Sequence, residues 1–151
     1  MVEGYLDGVQ LRKLLMGTYL KRPTAGHAAA TTPYFTITGG SVLLTSLVGT
    51  VVTASGANAC SWVANPTLGT AQSICGNLDI NPALVGDSLT ITGVGNAAMT
   101  YNGSATGLAM MGTKVVLNIG NLAFIAAAGD GSTSWIVTYI PLDDGAYMGV
   151  V

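Results

Sequence analysis

The chain has 151 residues, which is enough for one domain with a full hydrophobic core. Only 8% of the residues are charged, against about 25% in a typical soluble domain, and half are apolar. Because no uninterrupted apolar run reaches about 18 residues, we expect no membrane-spanning helix. So little charge gives a monomer little to keep it in solution, which favours a subunit whose surface is covered in an assembly.

The basic side chains are concentrated at the start of the chain. Between positions 23 and 78 no side chain carries a formal charge, and the rest of the chain is mostly acidic. Four basic residues, offset by Glu3 and Asp7, are too few for a nucleic-acid interface. We therefore expect no nucleic-acid partner, but a basic segment that lies on the acidic surface of a neighbouring protein. The four residues are Arg12, Lys13, Lys21 and Arg22.

Residues 1–32 are predicted to form an N-terminal arm and linker. Positions 2–20 contain helix formers, but their apolar residues fall on opposite sides of a helical wheel, and three glycines weaken any helix. Positions 23–32 consist mostly of small residues, as a flexible linker does. The arm is therefore predicted to be either a short helix held between two surfaces or a segment that orders on contact.

Residues 33–54 are predicted to form two strands joined by a tight hairpin turn. Gly39 and Gly40 supply the positive φ of that turn, between strands at 34–38 and 41–53. The second strand is apolar on both faces, so it needs cover from a second sheet, a folded-back segment or another copy of the protein. One of its faces is the predicted subunit interface: Leu43, Leu47 and Val51.

The rest of the body shows short strand patterns separated by turn sequences. Their regular spacing, without a convincing helix, predicts an all-β sandwich or jelly-roll-like domain of about eight or nine strands over residues 33–151. The predicted strands lie at 61–64, 73–80, 88–92, 98–101, 114–119, 122–127 and 134–142.

Two cysteines, Cys60 and Cys75, flank a turn at 65–69. A disulfide between them would close a loop of about 15 residues and contribute roughly 3 kcal/mol in the chain-entropy model. Two buried free thiols are an equally good prediction. The first eight residues do not have the basic and apolar regions of a signal peptide, so we expect synthesis in the cytoplasm with reduced thiols.

The sequence offers little material for catalysis or metal binding. The single histidine, His27, falls in the predicted linker, where nothing would hold it in a Ser-His-Asp site. One histidine and two distant cysteines do not have the spacing of zinc ligands. Asp143 and Asp144 are adjacent, and on an extended chain they point to opposite sides. We therefore expect no enzyme activity, no cofactor and no metal.

Several segments resemble small structural proteins of tailed bacteriophages. These are YFTITGG at 34–40, LVGTVVT at 47–53, NPT at 65–67, CGNLDI at 75–80, GDSLTITG at 86–93 and, most strongly, WIVTYIPLDDGA at 135–146. The resemblance covers roughly residues 33–146. It implies a virion protein, most simply a decoration (cement) protein on the capsid surface that binds the major capsid protein. The motifs are structural, so the resemblance carries over no catalytic residue.

A decoration protein stabilises a head by burying apolar area across joints between coat subunits, and an oligomer gains by engaging several neighbours at once. We therefore expect a homotrimer whose arm orders against the coat. The predicted coat-contact residues are Arg12, Lys13, Leu14, Leu15, Lys21 and Arg22.

Two alternative functions remain open on the sequence. One is a tail, baseplate or fibre component, which the sequence does not separate from a decoration protein. The other is a carbohydrate-binding β-sandwich for host attachment, which usually needs exposed aromatic platforms. Trp62 and Trp135 both lie in strand patterns, which favours a core role for them.

The composition leads to a direct prediction about the isolated protein. Because its apolar exterior needs cover, the purified chain should be an oligomer, with a mass by static light scattering that is a multiple of the chain mass of 15.2 kDa. A freely soluble, stable monomer at high concentration would contradict this prediction.

Overall fold

A computed structural model describes residues 4–103 and 111–151 and shows two antiparallel sheets packed face to face. The predicted all-β sandwich is confirmed. The described residues form one helix, α1, and twelve strands rather than eight or nine, because several strands have only two or three residues. The elements are α1 (Gly8–Met16), β1 (Thr18–Gly26), β2 (Thr31–Thr38), β3 (Val42–Thr53), β4 (Ala59–Pro66), β5 (Gln72–Ser73), β6 (Leu78–Asp79), β7 (Ser88–Thr90), β8 (Thr100–Tyr101), β9 (Val115–Leu117), β10 (Gly120–Ala126), β11 (Ser132–Pro141) and β12 (Tyr147–Val150).

The first sheet, sheet A, has the strand order β1-β11-β3-β7-β8, and β9 also pairs with β3. The second, sheet B, has the order β12-β2-β10-β4-β5, and β6 also pairs with β4. The long strands β3 and β11 lie side by side within sheet A, while β2, β10 and β4 form the middle of sheet B. Most pairings therefore join distant parts of the chain.

The predicted hairpin between β2 and β3 is wrong. The two strands do not pair: β2 lies between β10 and β12 in sheet B, and β3 lies in sheet A. Gly39 and Gly40 do have positive φ, of 78° and 153°, but they carry the chain from one sheet to the other. Both strands are rich in apolar side chains, and placing them in opposite sheets of the sandwich lets each turn apolar side chains toward the core between the sheets.

An aromatic cluster fills the space between the sheets. Trp62 of β4 and Trp135 of β11 meet edge to face, with their ring centroids 4.8 Å apart, and neither is exposed to solvent. Phe124 lies against both tryptophans, and Tyr34 stacks on Phe124 at 5.2 Å. The core role predicted for the two tryptophans is confirmed.

A bulge in β3 changes which side chains share a face. Residues 138 and 139 of β11 pair with Ser46 and Leu44, so Thr45 is an extra residue on β3. Because one inserted residue reverses the alternation, Leu43 faces away from sheet B whereas Leu47 and Val51 face the core. The outer face of β3 is covered only in part: Thr45 Oγ1 donates a hydrogen bond to the carbonyl oxygen of Met16, the last residue of α1, at 2.5 Å.

The N-terminal arm, predicted to run to residue 32, is not confirmed at that boundary. Residues 18–26 form β1, which pairs with β11 at the edge of sheet A. Leu20 packs against the core, and the guanidinium of Arg22 lies 3.7 Å from the centroid of the Tyr34 ring. Of the described residues in the predicted arm, 4–17 and the short connection at 27–30 lie outside the strands. The prediction missed β1 because its inner face is mixed, with an arginine and a threonine beside a single leucine.

Gly49 of β3 makes room for the aromatic cluster. A Cβ at this position would lie 2.7 Å from the Trp135 ring, which is closer than real contacts allow. We expect Gly49→Ala to lower the free energy of unfolding by about 1–3 kcal/mol, as overpacking of a core does. A Cβ at Gly112 meets nothing within 4 Å, so Gly112→Ala is the matched control. Urea unfolding curves give the free energy of unfolding of both variants. If Gly49→Ala left that free energy unchanged, this description of the core would be contradicted.

Candidate functional site

The helix α1 has well-formed ends. It begins after Asp7, whose carboxylate accepts a hydrogen bond from Gln10 N at 2.8 Å, while Gln10 Oε1 accepts one from Asp7 N at 3.0 Å. This reciprocal pair is a capping box. The helix ends at Gly17, whose φ of 89° stops it and whose N–H donates to the carbonyl oxygen of Lys13 at 3.0 Å. Short-range contacts thus define both ends of α1.

None of the residues of α1 is buried. Leu11, Leu14 and Leu15 have the i, i+3, i+4 spacing of one helical face, and they are 46%, 70% and 65% exposed. Just before the helix, Tyr5 and Leu6 are also exposed. A helix of nine residues is marginal in water by itself. This leucine face, which we define as Leu11, Leu14 and Leu15, is therefore the most conspicuous apolar surface without cover in the described chain.

The structure separates the six predicted coat-contact residues into two groups. Arg12, Lys13, Leu14 and Leu15 all lie on α1 and are exposed. The Arg12 guanidinium lies 4.5 Å from the centroid of the Tyr19 ring, which places α1 against β1.

The other two coat-contact residues belong to β1. Lys21 is exposed on the outer side of the strand, but Arg22 points inward over Tyr34 and is partly buried. Arg22 is therefore part of the sandwich edge, and its side chain is not free to contact a coat protein as predicted.

The predicted subunit interface is not a single surface. Leu47 and Val51 are 0% and 2% exposed within one chain, because they face sheet B. Leu43 is partly exposed on the other face of β3. Two of the three residues are therefore core residues, and the prediction is corrected for them. The physical reason is the bulge at Thr45, which no alternation pattern in the sequence reveals.

Cys60 and Cys75 are both buried free thiols. The Cys75 sulfur accepts a hydrogen bond from Trp62 N at 3.2 Å. Burial raises the pKa of Cys60 to about 12 and that of Cys75 to about 11. Of the two alternatives that the sequence left open, the structure has the free thiols, and these raised pKa values keep them protonated and unreactive at neutral pH.

Asp143, in the loop after β11, holds two turns together. Its carboxylate accepts a hydrogen bond from Ser41 N at 2.7 Å, and Ala146 N donates to its carbonyl oxygen at 3.1 Å. A Cβ on Gly40 would lie 2.5 Å from Asp143 Cβ, so the close approach requires glycine there. The loop after β11 is thereby fastened to the crossing between β2 and β3. This carboxylate has a structural role.

The histidine lies in a different environment from the predicted flexible linker. His27 is only 8% exposed, and its ring nitrogens contact the Asp130 carbonyl oxygen and the Thr133 hydroxyl. With both nitrogens engaged, the imidazole has none left to serve as a general base. Nowhere in the described part of the chain do three His, Cys, Asp or Glu side chains form a group able to hold a metal ion.

A cleft of about 270 Å³ opens between the β4–β5 loop and β9. Its lining includes carboxamides, from Asn65 and Gln72 among others, and the apolar side chains of Ile37 and Leu117. Among the described residues, no aromatic and no charged side chain lines it. It therefore lacks the aromatic platform that we expected of a sugar site, and both tryptophans are in the core.

Comparison of the chain with known protein families, with curated proteins and with solved structures finds no match. Over residues 4–103 and 111–151, the structure contains no helix that is long and apolar enough to cross a membrane.

Asp143 and Asp144 provide a matched pair for testing the turn contact. Removing the Asp143 carboxylate leaves Ser41 N without its acceptor, so we expect Asp143→Ala to lower the free energy of unfolding by about 1 kcal/mol. Asp144 accepts no such hydrogen bond in the described chain, and Asp144→Ala should stay within about 0.5 kcal/mol of the unchanged protein. Equal effects of the two substitutions in urea unfolding would rule out the special role of Asp143.

Proposed function

We propose that this protein is a structural subunit of a tailed-bacteriophage particle, and specifically a decoration protein that stabilises the head by bridging coat subunits through α1. The observation that supports the proposal best is the uncovered leucine face of a helix whose two ends are firmly capped. The resemblance of residues 33–146 to phage structural proteins supports the same proposal.

Burial of the leucine face provides the binding energy. Removing a leucine side chain from water is worth about 1.5–3 kcal/mol, so three of them can anchor a small helix. Each copy of α1 then contributes a modest binding free energy, and several copies held in one oligomer bind with much greater avidity. Exposed apolar residues clustered on one element are typical of an interaction surface.

The charges beside the leucine face indicate what the partner surface is like. Lys13 on α1 and Lys21 on β1 are exposed, and neither forms an ion pair with any described residue. We propose that they meet carboxylates at the rim of an apolar groove on the major capsid protein. Complementary charge of this kind guides the docking and sets its orientation more than it adds affinity.

The sandwich then serves as the rigid body that carries α1. We propose a homotrimer at local threefold positions of the capsid, which would present three copies of α1 to neighbouring coat subunits. Of the predicted interface, Leu43 remains accessible for contact between subunits.

The test replaces the leucine face by serine with the triple substitution Leu11→Ser, Leu14→Ser and Leu15→Ser. Because none of the three leucines is buried in the chain, the sandwich should keep its stability, while affinity for particles that lack the protein should fall by about 100-fold or more. Co-sedimentation with such particles measures binding, and electron microscopy of the unchanged protein locates it.

The matched control is Leu84→Ser with Val85→Ser, which changes two equally exposed residues away from α1 and should bind normally. A second variant begins at Gly17, so that it lacks α1 but keeps β1, and should lose binding as the triple variant does. Full binding by the triple variant would refute the role of α1. Density on the tail instead of the head would assign the protein to the tail.

A further inference from the structure

Three loops meet around His27 at the end of the sandwich opposite the Gly39–Gly40 crossing. They join β1 to β2, β3 to β4, and β10 to β11. The imidazole is 8% exposed, and its centroid lies 5.3 Å from that of the Phe124 ring. Its Nδ1 atom lies 2.8 Å from the Asp130 carbonyl oxygen, and its Nε2 atom lies 3.1 Å from Thr133 Oγ1.

The partners of the imidazole determine its protonation state. Because the Asp130 partner is a carbonyl oxygen, Nδ1 must carry a hydrogen and donate it. On the other side, Trp135 Nε1 donates to Thr133 Oγ1 at 2.8 Å, so the threonine hydroxyl is free to donate its own hydrogen to His27 Nε2. The neutral imidazole with its hydrogen on Nδ1 is thus the form that satisfies every group in this chain of hydrogen bonds.

The same carbonyl oxygen holds the other loops. Besides His27 Nδ1, Asp130 O accepts hydrogen bonds from Ser55 Oγ at 3.0 Å and from Asn58 Nδ2 at 3.1 Å. The Asp130 carboxylate accepts a further one from Gly56 N at 2.6 Å. Asn58 also pairs with Ala128, accepting from its N–H at 2.9 Å. All three loops therefore converge on Asp130.

A second hydrogen on the imidazole conflicts with this arrangement. It would lie on Nε2 and point at Thr133 Oγ1, which would then have to turn its own hydrogen elsewhere. Thr133 is 0% exposed, so water cannot accept that hydrogen, and no other acceptor for it is described. The charged form thus leaves a buried donor unpaired and places a charge beside Phe124 and Trp135.

The charged groups around His27 do not remove this conflict. Asp130 is the acidic group that faces it, and its exposed carboxylate is already bound to Gly56 N. The Asp79 carboxylate accepts a hydrogen bond from the backbone N–H of Asn58 at 3.0 Å. The guanidinium of Arg22, on β1, lies over the Tyr34 ring. Burial of the imidazole lowers the pKa of His27, outweighing the opposing effects of the Asp130 carbonyl and carboxylate.

We propose that His27 is an acid-sensitive latch: its neutral imidazole links the Asp130 carbonyl, at which the three loops meet, to Thr133 of β11, and protonation of Nε2 removes the hydrogen bond that Thr133 donates, displaces the imidazole and so releases the loops at this end of the sandwich. The folded protein binds this proton less readily than the unfolded chain, in which histidine titrates near pH 6.5. The stability that the latch confers is therefore fully present above that pH, and it is lost as the pH falls through the lower pKa of the folded state.

The test uses the unchanged protein, since its single histidine gives one imidazole signal in NMR spectra. At pH 7.5 the imidazole of His27 should carry its hydrogen on Nδ1. The midpoint of the His27 titration should lie below pH 6.5. As His27 becomes charged, the amide hydrogens of Gly56 and Ala128 should lose their protection from exchange. Leu142 N, which bonds Ser41 O at the opposite end, is the internal control and should stay protected.

Two substitutions at Thr133 test the mechanism further. Thr133→Val removes the hydrogen that Nε2 accepts and also the oxygen at which a charged Nε2–H would point, and it keeps the imidazole buried, so the His27 midpoint should stay below 6.5. Thr133→Ser keeps the hydroxyl and should leave the midpoint unchanged. A midpoint at or above 6.5 in the unchanged protein, a hydrogen on Nε2 at pH 7.5, or loops that stay protected once His27 is charged would each overturn the proposal. The measurements on the unchanged protein decide the question even if a variant does not fold.

Discussion

The edge-to-face contact between Trp62 and Trp135 is the interaction on which the rest of the fold depends. One tryptophan comes from each sheet, and their centroids are 4.8 Å apart, so the contact sets how closely the sheets approach. Phe124 and Tyr34 extend the cluster, and Gly49 leaves the space that the Trp135 ring occupies. In a chain with few aromatic residues, concentrating these large side chains at one place gives the sandwich a well-defined core.

Polar contacts complete the fold where this core ends. At one end, Asp143 fastens the loop after β11 to the crossing between β2 and β3. At the other, Asp130 collects hydrogen bonds from His27, Ser55 and Asn58. Most of these bonds have a backbone group as one partner, which suits a sequence poor in charged residues. The loops are thus held by carbonyl oxygens, amides and single carboxylates rather than by ion pairs.

The functional proposal depends on a difference between the sandwich, which has a buried core, and α1, which has no buried residue. The sandwich buries its tryptophans and the aromatic cluster around them on its own, whereas α1 is capped at both ends and leaves its leucine face in solvent. We propose a partner for this helix, because α1 itself has no buried residue in the chain. The proposed place on a phage particle supplies such a partner, and the leucine face and the neighbouring lysines describe its surface.

The sequence by itself determined the all-β class, most of the strands of the body, the buried tryptophans and the positive φ at Gly39 and Gly40, because each follows from local spacing or from the preference of one residue type. Only the tertiary structure decided that β2 and β3 lie in different sheets, that residues 18–26 form a strand and that His27 is buried. It also decided that Leu43 lies on the face opposite Leu47. These features depend on pairing between distant segments, and a single inserted residue at Thr45 reverses an alternation without leaving any mark in the local pattern.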